Sequence, residues 1–243
     1  AKPEYLSCSF IIEEGFSYAD LTRIVESMAA ELAKSGARIV CGDTKVVPKG
    51  AADKIFINTS GVGTFPLPEQ SRGISVRSLK AGDAILVSRD IGSHGACILM
   101  ARDALQLGSD LKSDCTTLWP LVEALLKAGI TPHALRDATR GGLAAVLNEW
   151  SSASGVAIEL EESAIPVCDP VRGLCELYGF EPHDLANEGT MVLALPAEQA
   201  QDALGILRQF NPAASQIGVV QASDRHKVIL NNPWGSRRYL ELP

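Results

Sequence analysis

The sequence lacks the patterns that identify several common classes of protein. None of its six cysteines forms a CxxC pair, and the 22 Lys and Arg residues are outnumbered by 29 Asp and Glu residues, without a block of like charges. The net charge of −7 therefore offers no electrostatic footprint for nucleic acid or an anionic membrane surface. No apolar run approaches the length of a transmembrane helix, and no basic segment followed by an apolar run opens the chain. We therefore predict a cytoplasmic protein that binds neither nucleic acid nor membrane.

The composition that remains is that of an ordinary globular protein. A chain of 243 residues, 46% hydrophobic and 21% charged, suits one large domain or two small ones. Most cysteines lie in apolar runs such as residues 95–99, so we predict buried, reduced thiols rather than disulfides or a zinc site. The cysteines are Cys8, Cys41, Cys97, Cys115, Cys168 and Cys175. The chain lacks an initial Met and runs almost at once into a strand-like segment. This indicates processing or a domain cut from a longer protein.

Hydrophobic periodicity predicts alternating strands and helices. Ser17 and Gly36 are the expected caps of a first helix, and Thr117 is the expected cap of a later one. The predicted strands cover residues 5–12, 39–40, 54–59, 84–88, 156–160, 190–195, 216–220 and 227–230; the other predicted helices cover about 95–107, 143–150 and 198–210. Gly and Pro residues indicate a linker within 64–80. This alternation favours an α/β or α+β layered fold without internal repeats.

The first polar cluster that composition does not explain is Gly42-Asp43-Thr44-Lys45. It directly follows the predicted strand and offers a carboxylate, a hydroxyl and an ammonium within three residues. Such a set suits a hard cation bridged to phosphate oxygens. The alternative is a turn at the end of the strand, in which Asp43 bonds its own backbone.

A second cluster, residues 137–142, precedes the helix predicted near residue 143. Thr139 is a possible N-cap, and the two glycines allow backbone N–H groups to approach an anion closely. Arg140 could add a bidentate contact, and Asp137 lies beside it. The alternative is an ordinary capped helix start with a solvated Arg and no ligand.

Two further segments carry ionisable groups next to tight turns. His94 lies at a predicted helix start, where the helix dipole favours a neutral, hydrogen-bonding imidazole; the alternative is a structural His. Glu188 lies directly before an apolar strand, where desolvation would raise the proton affinity of its carboxylate, as a general base needs. Gly189 allows a tight approach of the backbone. The alternative is a Glu in a turn that faces water. Residues 113–115 give a weaker signal, and the spacing of the other histidines matches no triad or metal site.

Together these segments resemble the HypE family, a branch of the PurM-like ATP-binding enzymes that also includes aminoimidazole ribonucleotide synthetase, selenophosphate synthetase and thiamine monophosphate kinase. The matching segments occur in the same order as in the family and span nearly the whole chain. It rests on YLSCSFIIEEG (5–15), GDTKVV (42–47), DKIFINTSGVG (53–63), HGACIL (94–99), SDC (113–115), LRDATRGG (135–142), PVRGLCELYGF (170–180) and ANEGT (186–190). The combination of GDTKVV, RDATRGG and ANEG is specific to HypE among these relatives.

The resemblance implies a chemistry. HypE proteins carry a C-terminal cysteine that a partner, HypF, carbamoylates; HypE then uses ATP to dehydrate the S-carboxamide to a thiocyanate. The cyanide passes to iron on the HypC–HypD complex and becomes a ligand of nickel–iron hydrogenase. The resemblance also implies ATP and Mg²⁺ as cofactors.

The resemblance also assigns roles to the residues singled out above. Asp43 would help to hold Mg²⁺, Lys45 would pair with phosphate beside Thr44, and Glu188 would be the base. His94 is a second catalytic candidate. The nucleotide-binding candidates in the later cluster are Asp137, Thr139 and Arg140.

The implied architecture is an α+β, PurM-like pair of domains. Residues 1–65 would be the remainder of the N-terminal ATP-binding domain, 66–80 a linker, and 81–243 a complete α/β-sandwich C-terminal domain. Family members have upstream aspartate-bearing segments and a Pro-Arg-Ile-Cys type tail, neither of which occurs here, so we expect a chain shortened at both ends and inactive by itself. Thr190 also stands where some relatives have Lys. The resemblance implies a homodimer for the full-length protein.

Two other functions stay open from the sequence. Another enzyme of the superfamily, such as a phosphotransferase acting on a small substrate, would share motifs like GDTK and D-x-T-x-G-G. Such an enzyme would not need a carbamoylated cysteine for its ATPase activity. A non-catalytic docking module would bind HypC–HypD without hydrolysing nucleotide.

Overall fold

The computed structural model describes residues 1–102 and 110–242, and contacts between Cα atoms separate the chain into two units. The first unit is Ala1–Pro68, and the second begins at Glu69. Both units combine helices with strands, as the α+β prediction required. No helix among the described residues is long and apolar enough to cross a membrane.

The N-terminal unit is a three-stranded sheet with one long helix. Its elements are β1 (Lys2–Glu13), α1 (Tyr18–Ser35), β2 (Arg38–Val47) and β3 (Ile55–Thr64). Strand β1 is central and pairs with β2 in parallel and with β3 in antiparallel orientation. A parallel pair needs a crossover connection, and α1 provides it.

The ends of α1 confirm the predicted caps. The Ser17 side chain accepts a hydrogen bond from the Asp20 N–H at 3.4 Å. Gly36 adopts a left-handed conformation with φ of 74°, and its N–H donates to the Leu32 carbonyl. Both caps satisfy backbone groups that the helix itself leaves without partners.

The C-terminal unit contains a seven-stranded sheet with helices on both sides. A short helix, α2 (Pro68–Ser71), precedes it. Its elements are β4 (Ala84–Val87), α3 (Ser93–Arg102), α4 (Trp119–Lys127), β5 (Ala134–Asp137), α5 (Gly142–Ser154), β6 (Ala157–Glu161), α6 (Asp169–Tyr178), β7 (Met191–Leu195), α7 (Ala200–Phe210), β8 (Ser215–Gln221), β9 (Val228–Asn231) and β10 (Arg237–Tyr239). The strand order is β10-β9-β6-β8-β4-β7-β5, and only the β6–β9 pair is parallel.

The centre of this sheet is buried on both faces. In β4, Ile85 and Val87 belong to a core with α5, whereas Ala84 and Leu86 belong to a second core with α4 and α7. Successive residues of a strand point to opposite faces, so an uninterrupted apolar strand contributes to both cores. This layered arrangement agrees with the predicted sandwich, and it fixes the strand ends from which the polar turns project.

Several local predictions differ from the structure. Thr117 does not cap α4, because the N-cap position is Leu118 and no side chain caps it. Pro120 instead fits the first turn of that helix, where a missing N–H has no cost. The helix predicted over 198–210 begins as a 3-10 turn at Ala197–Gln199, and the short strands β5 and β10 were not predicted. The predicted extension of α3 to residue 107 lies outside the described residues.

The cysteine prediction was wrong in part. All six thiols are free, as expected, but only Cys8 and Cys175 are buried. Cys97 and Cys168 are partly exposed, and Cys41 and Cys115 are exposed. Apolar neighbours along the chain do not decide the direction of a side chain, since adjacent positions of a strand face opposite ways.

Trp150 should be the residue on which the C-terminal core depends most. Its side chain is fully buried in α5 against the sheet. Trp150→Ala should lower the free energy of unfolding by about 3–5 kcal/mol, because it removes a large apolar group and leaves a cavity. Urea unfolding followed by circular dichroism measures this change. The control is Trp234→Ala, since Trp234 is 90% exposed; equal losses for the two variants would contradict the assignment of the core.

Candidate functional site

The GDTK segment lies inside β2 rather than in a turn after it. Asp43 pairs with Ser9 and Lys45 with Ile11, and Ser9 in turn pairs with Asn58 of β3. Because residues two positions apart in a strand point to the same face, Asp43 and Lys45 project from one face of the sheet. Both are exposed. The strand thus presents a carboxylate and an ammonium side by side. A turn would not fix the position of one relative to the other.

Two local features hold this part of β2 in place. The Thr44 N–H donates to the Asp43 Oδ1 at 2.9 Å, while the Thr44 side chain belongs to the opposite face, in register with Phe10. At Gly42, a Cβ atom would lie only 1.9 Å from the Cys8 carbonyl oxygen. Glycine is therefore required for the close approach of the two strands.

In the C-terminal unit, one buried side chain joins three of the predicted motifs. The Asn187 Oδ1 accepts a hydrogen bond from the Gly92 N–H at 2.7 Å. Its Nδ2 donates to the carbonyls of Ala138 at 2.9 Å and Leu185 at 3.0 Å. Asn187 is fully buried, so these bonds form without competition from water. They place the turns before α3 and α5 beside the turn before β7.

Asp114 fixes the other half of the same turn. Its carboxylate is buried and accepts hydrogen bonds from the N–H groups of Glu188 and Gly189, both at 3.0 Å, and from the Thr190 hydroxyl at 2.9 Å. A buried carboxylate requires such donors. The weak signal at residues 113–115 therefore marks a structural clamp, which the sequence did not reveal.

Two glycines permit these turns to pack closely. A Cβ on Gly189 would lie 1.8 Å from the Asp114 carbonyl oxygen, and a Cβ on Gly142 would lie 2.4 Å from the His183 carbonyl oxygen. Gly142 also has a positive φ of 57°. Both positions thus need glycine for space, and Gly142 needs it for backbone conformation as well.

The turn before α5 is capped by glycine, not by Thr139. Gly141 is the N-cap residue, with a φ of 69° and no side-chain cap, whereas the Thr139 carbonyl accepts from the Gly142 N–H at 3.0 Å. Asp137 and Arg140 are exposed, and Thr139 is partly exposed. In the part of the chain that the structure describes, the side chains of these three residues make no hydrogen bond or ion pair.

Glu188 is held by its backbone, and its side chain is exposed. The expected shielding by β7 is therefore wrong, because the strand begins only at Met191 and the turn carries the Glu188 side chain outward. A carboxylate without a competing partner among the described residues remains free to accept a proton from a ligand.

His94 lies in the first turn of α3 and contacts the same clamp. Its Nδ1 is 2.9 Å from the Ser113 hydroxyl and 3.6 Å from the Cys115 sulfur. The Ser113 hydroxyl also lies 3.1 Å from that sulfur. The three side chains therefore form one polar cluster directly beside Asp114, whose neighbour across the clamp is Glu188.

A cavity of about 370 Å³ is lined by residues 179–183 and by Cys175, among others. Burial lowers the pKa of His183 and raises the pKa of Asp184, and each charge partly opposes the effect on the other. Burial also raises the pKa of the Cys175 thiol, to about 11. Burial thus disfavours the charged form of each of these groups, which suits a structural position.

Comparison with known proteins identifies the family. The family model described as the N-terminal domain of AIR synthase related protein matches residues 1–65, and the corresponding C-terminal model matches residues 80–231. The carbamoyl dehydratase HypE of Escherichia coli (strain K12) is 43% identical over 244 aligned residues, which cover 100% of this chain and 71% of that protein. The chain belongs to the HypE family.

Solved HypE structures have the same fold. One, HypE in complex with ATP, is 40% identical with a TM-score of 0.95, over 100% of this chain and 74% of that chain. A second, from a HypE–HypF complex, is 41% identical with a TM-score of 0.92, over 100% and 79% of the two chains. The family resemblance and the PurM-like fold class predicted from the motifs are thereby confirmed.

The residue assignments made from the sequence remain predictions, but the structure groups them in two sets. Asp43 and Lys45 share one face of the N-terminal sheet. His94, Arg140 and Glu188 project from turns that Asn187 and Asp114 hold together. The latter two residues were not assigned a role from the sequence, although ANEG and SDC contain them.

Replacing Asn187 by Ala should loosen all three turns together. The N–H of Gly92 would lose its acceptor, and each buried group left without a partner costs about 1–3 kcal/mol. Amide hydrogen exchange should accelerate at Gly92 and Ala138, with a matching fall in the free energy of unfolding.

Asn232→Ala is the matched control for this test. Asn232 also makes three hydrogen bonds, but they lie at exposed positions where water can replace them. A loss in Asn187→Ala no larger than that in the control, or exchange that stays slow at Gly92, would refute the role of Asn187.

Proposed function

We propose that this protein is an ATP-dependent carbamoyl dehydratase of nickel–iron hydrogenase maturation. Its reaction would convert an S-carboxamide on a cysteine thiol into a thiocyanate, the source of the cyanide ligand of the active-site iron. The observation that carries the proposal is the joining of three family motifs by Asn187. These bonds bring the segments that carry His94, Arg140 and Glu188 together in the C-terminal unit of a HypE-family chain, which supports a shared role for them.

The chemistry explains why both phosphate-binding and proton-accepting groups are needed. An amide oxygen is a poor leaving group, so ATP would phosphorylate it and release ADP. Loss of the phosphate and of both N–H protons then leaves the C≡N triple bond. The overall change is removal of one water at the expense of one ATP. The enzyme must therefore hold polyphosphate and provide a base for nitrogen.

In the N-terminal unit, Lys45 is suited to the phosphates and Asp43 to Mg²⁺. No group of three or more His, Cys, Asp or Glu residues in ranges 1–102 and 110–242 could hold a metal ion alone. A single carboxylate still fits Mg²⁺, which keeps several waters and takes other ligands from phosphate oxygens. When bound, the ion would neutralise charge that develops on the phosphates.

In the C-terminal unit, the proposed nucleotide contacts are Asp137, Thr139 and Arg140. The glycine turn before α5 leaves backbone N–H groups at a helix N-terminus, which favours an anion, and Arg140 has no competing carboxylate among the described residues. Glu188 is the proposed base. His94 is the second candidate for proton transfer.

The remaining parts of the proposal concern the partners, the location and the domain bounds of the protein. A HypE–HypF complex among the similar structures supports HypF as the carbamoyl donor. We extend the proposal to the HypC–HypD complex as cyanide acceptor, to a homodimer of the full-length protein and to a cytoplasmic location. We also retain residues 1–65, 66–80 and 81–243 as the N-terminal domain, the linker and the C-terminal domain.

Lys45→Ala in the full-length protein should weaken ATP binding and slow turnover without affecting stability. The side chain is exposed, so its removal costs little in folding, but phosphate loses a cationic partner. Lys45→Arg should restore little, because a planar guanidinium does not reproduce a compact ammonium. Calorimetry with Mg-ATP measures the change, and Lys49→Ala, at another exposed lysine, serves as the control. Unchanged ATP affinity in Lys45→Ala would rule the role out.

Glu188→Gln should leave Mg-ATP binding intact but slow dehydration by about 10²–10⁴-fold, the usual effect of removing a general base. The amide keeps the shape of the side chain and removes its ability to accept a proton. Mass spectrometry of the carbamoylated cysteine after addition of ATP measures the loss of water in the full-length protein.

The control for this variant is Glu198→Gln, at an exposed carboxylate on the 3-10 turn before α7. It should dehydrate the substrate at the wild-type rate. If Glu188→Gln does so as well, the base lies elsewhere, and Asp137 or His94 becomes the residue to test.

A further inference from the structure

Residues 182–186, which we call the support segment, lie against the turn that carries Arg140. A Cβ on Gly142 would be 2.4 Å from the His183 carbonyl oxygen and 2.6 Å from the Leu185 carbonyl oxygen. Both distances are shorter than van der Waals contact, so the backbone of the segment touches the backbone of the turn with no space between them. A displacement of the segment must therefore displace this turn.

The support segment also contacts the start of α3. The Gly95 N–H donates to the Ala186 carbonyl at 2.9 Å, and a Cβ on Gly95 would be 3.0 Å from the Ala186 nitrogen. Gly95 directly follows His94, so the segment helps to fix the backbone from which the His94 side chain projects. Two groups of candidate site residues thus share one support.

The His183 side chain is buried in this segment without a hydrogen bond. Its exposed fraction is 8%, and neither ring nitrogen makes a hydrogen bond in the part of the chain that the structure describes. Carboxylate oxygens lie just beyond bonding distance: the Glu181 Oε2 is 3.9 Å from Nδ1, and the Asp184 Oδ1 is 3.8 Å from Nε2. The Asp184 Oδ1 is itself buried and has no donor among the described residues. Buried polar groups are normally hydrogen-bonded, so this arrangement requires an explanation.

Charged groups from several elements surround the imidazole. Burial lowers the pKa of His183 from its ordinary value of 6.5, whereas the charges of Asp184 and Glu181 oppose this effect. Burial is the larger influence, so the ring takes up its proton only below that ordinary value. The titratable or charged groups around it are Glu181 and Asp184 beside it in the chain, Glu162 of the 3-10 turn after β6, Arg238 of β10, and, in the lining of the same cavity, Arg172, Cys175 and Glu176 of α6.

A proton on His183 changes the contacts that the ring needs. An imidazolium donates from both nitrogens, and a buried charge is costly unless it is paired and hydrogen-bonded. Charged N–H groups bond to carboxylates at about 2.7–2.9 Å, so the distances to Glu181 and Asp184 must shorten by about 1 Å. Because the backbone of His183 touches Gly142, this movement reaches the turn that carries Arg140.

We propose that His183 is a positioning residue: its neutral imidazole leaves the support segment tight against the turns that carry His94 and Arg140, and uptake of one proton loosens both turns. The step is reversible and consumes only a proton from water. Its consequence for the reaction rests on the proposed function, in which Arg140 contacts the nucleotide. A loosened turn should weaken the binding of Mg-ATP in mildly acidic solution.

The first test uses the chain without nucleotide. NMR spectra of the ¹⁵N-labelled chain from about pH 7.5 to about pH 5, where histidine titrates, follow the His183 ring and the Gly142 amide together. Both signals should change with the same midpoint. Protection of the Gly142 amide from hydrogen exchange, corrected for the intrinsic pH dependence, should fall roughly tenfold, the effect of a pKa that differs by one unit between the tight and the loosened state.

Three variants identify the group that titrates. His183→Gln keeps a neutral polar side chain and should remove the pH dependence at Gly142, with the circular dichroism at neutral pH unchanged. His94→Gln should keep the dependence, which excludes the ring in α3 as its source. His226→Gln, at an exposed histidine, is the matched control and should also keep it.

The second test uses the full-length protein. Between about pH 7.5 and about pH 5.5, the KM for Mg-ATP should rise roughly tenfold in the wild type and much less in His183→Gln. Loss of the base Glu188 by protonation would lower kcat instead, so the two effects separate.

Three results would overturn the proposal: a Gly142 amide that does not follow the His183 ring, a dependence at Gly142 that persists in His183→Gln, or a KM that rises equally in both proteins. The NMR test needs neither nucleotide nor activity, so its failure counts against His183 alone. Failure of the wild-type protein to dehydrate its substrate at any pH would instead count against the proposed function.

Discussion

The side-chain amide of Asn187 is the interaction on which the C-terminal site depends. One small polar group, fully buried, satisfies an N–H before α3 and two carbonyls in the turns before α5 and β7. Only an amide offers both an acceptor and two donors in so little volume, and a carboxylate or a hydroxyl would leave a buried backbone group unpaired. The three turns come from distant parts of the chain. They lie next to one another because the bonds of Asn187 join them, and no single turn determines this arrangement.

Asp114 complements this amide with an opposite chemistry. It is a buried carboxylate whose partners among the described residues are N–H and O–H donors, with no cation among them. Its charge is therefore balanced by the oriented dipoles of the turn that carries Glu188. Asn187 fixes one end of this turn and Asp114 the other, and the Glu188 side chain between them is left exposed. Rigid backbone and free side chains are the combination that a catalytic edge requires.

Local patterns predicted local structure well and spatial grouping poorly. The caps of α1 at Ser17 and Gly36 depend on residues a few positions apart, and both were correct. The GDTK segment was placed after a strand because Gly and Asp usually end strands, but the pairing of β2 with β1 extends the strand through it. Thr139 was a reasonable cap by type, yet two left-handed glycines already shape that turn. The contacts of Asn187 with Gly92 and Ala138 span 95 and 49 positions, and nothing in a single sequence reports such distances.

The same arrangement explains why the polar residues of this edge differ so much in their surroundings. Asn187, Asp114 and Thr190 are buried and fully hydrogen-bonded, and they determine where the backbone lies. The side chains of Glu188 and Arg140 are exposed and have no partner among the described residues, so their contacts can respond to a ligand. His94 and Cys115 stand between these extremes, bonded to each other through Ser113 but still accessible. The side-chain bonds of Asn187 and Asp114 that hold the turns lie outside that cluster, so the contacts of its side chains are separated from those that fix the backbone.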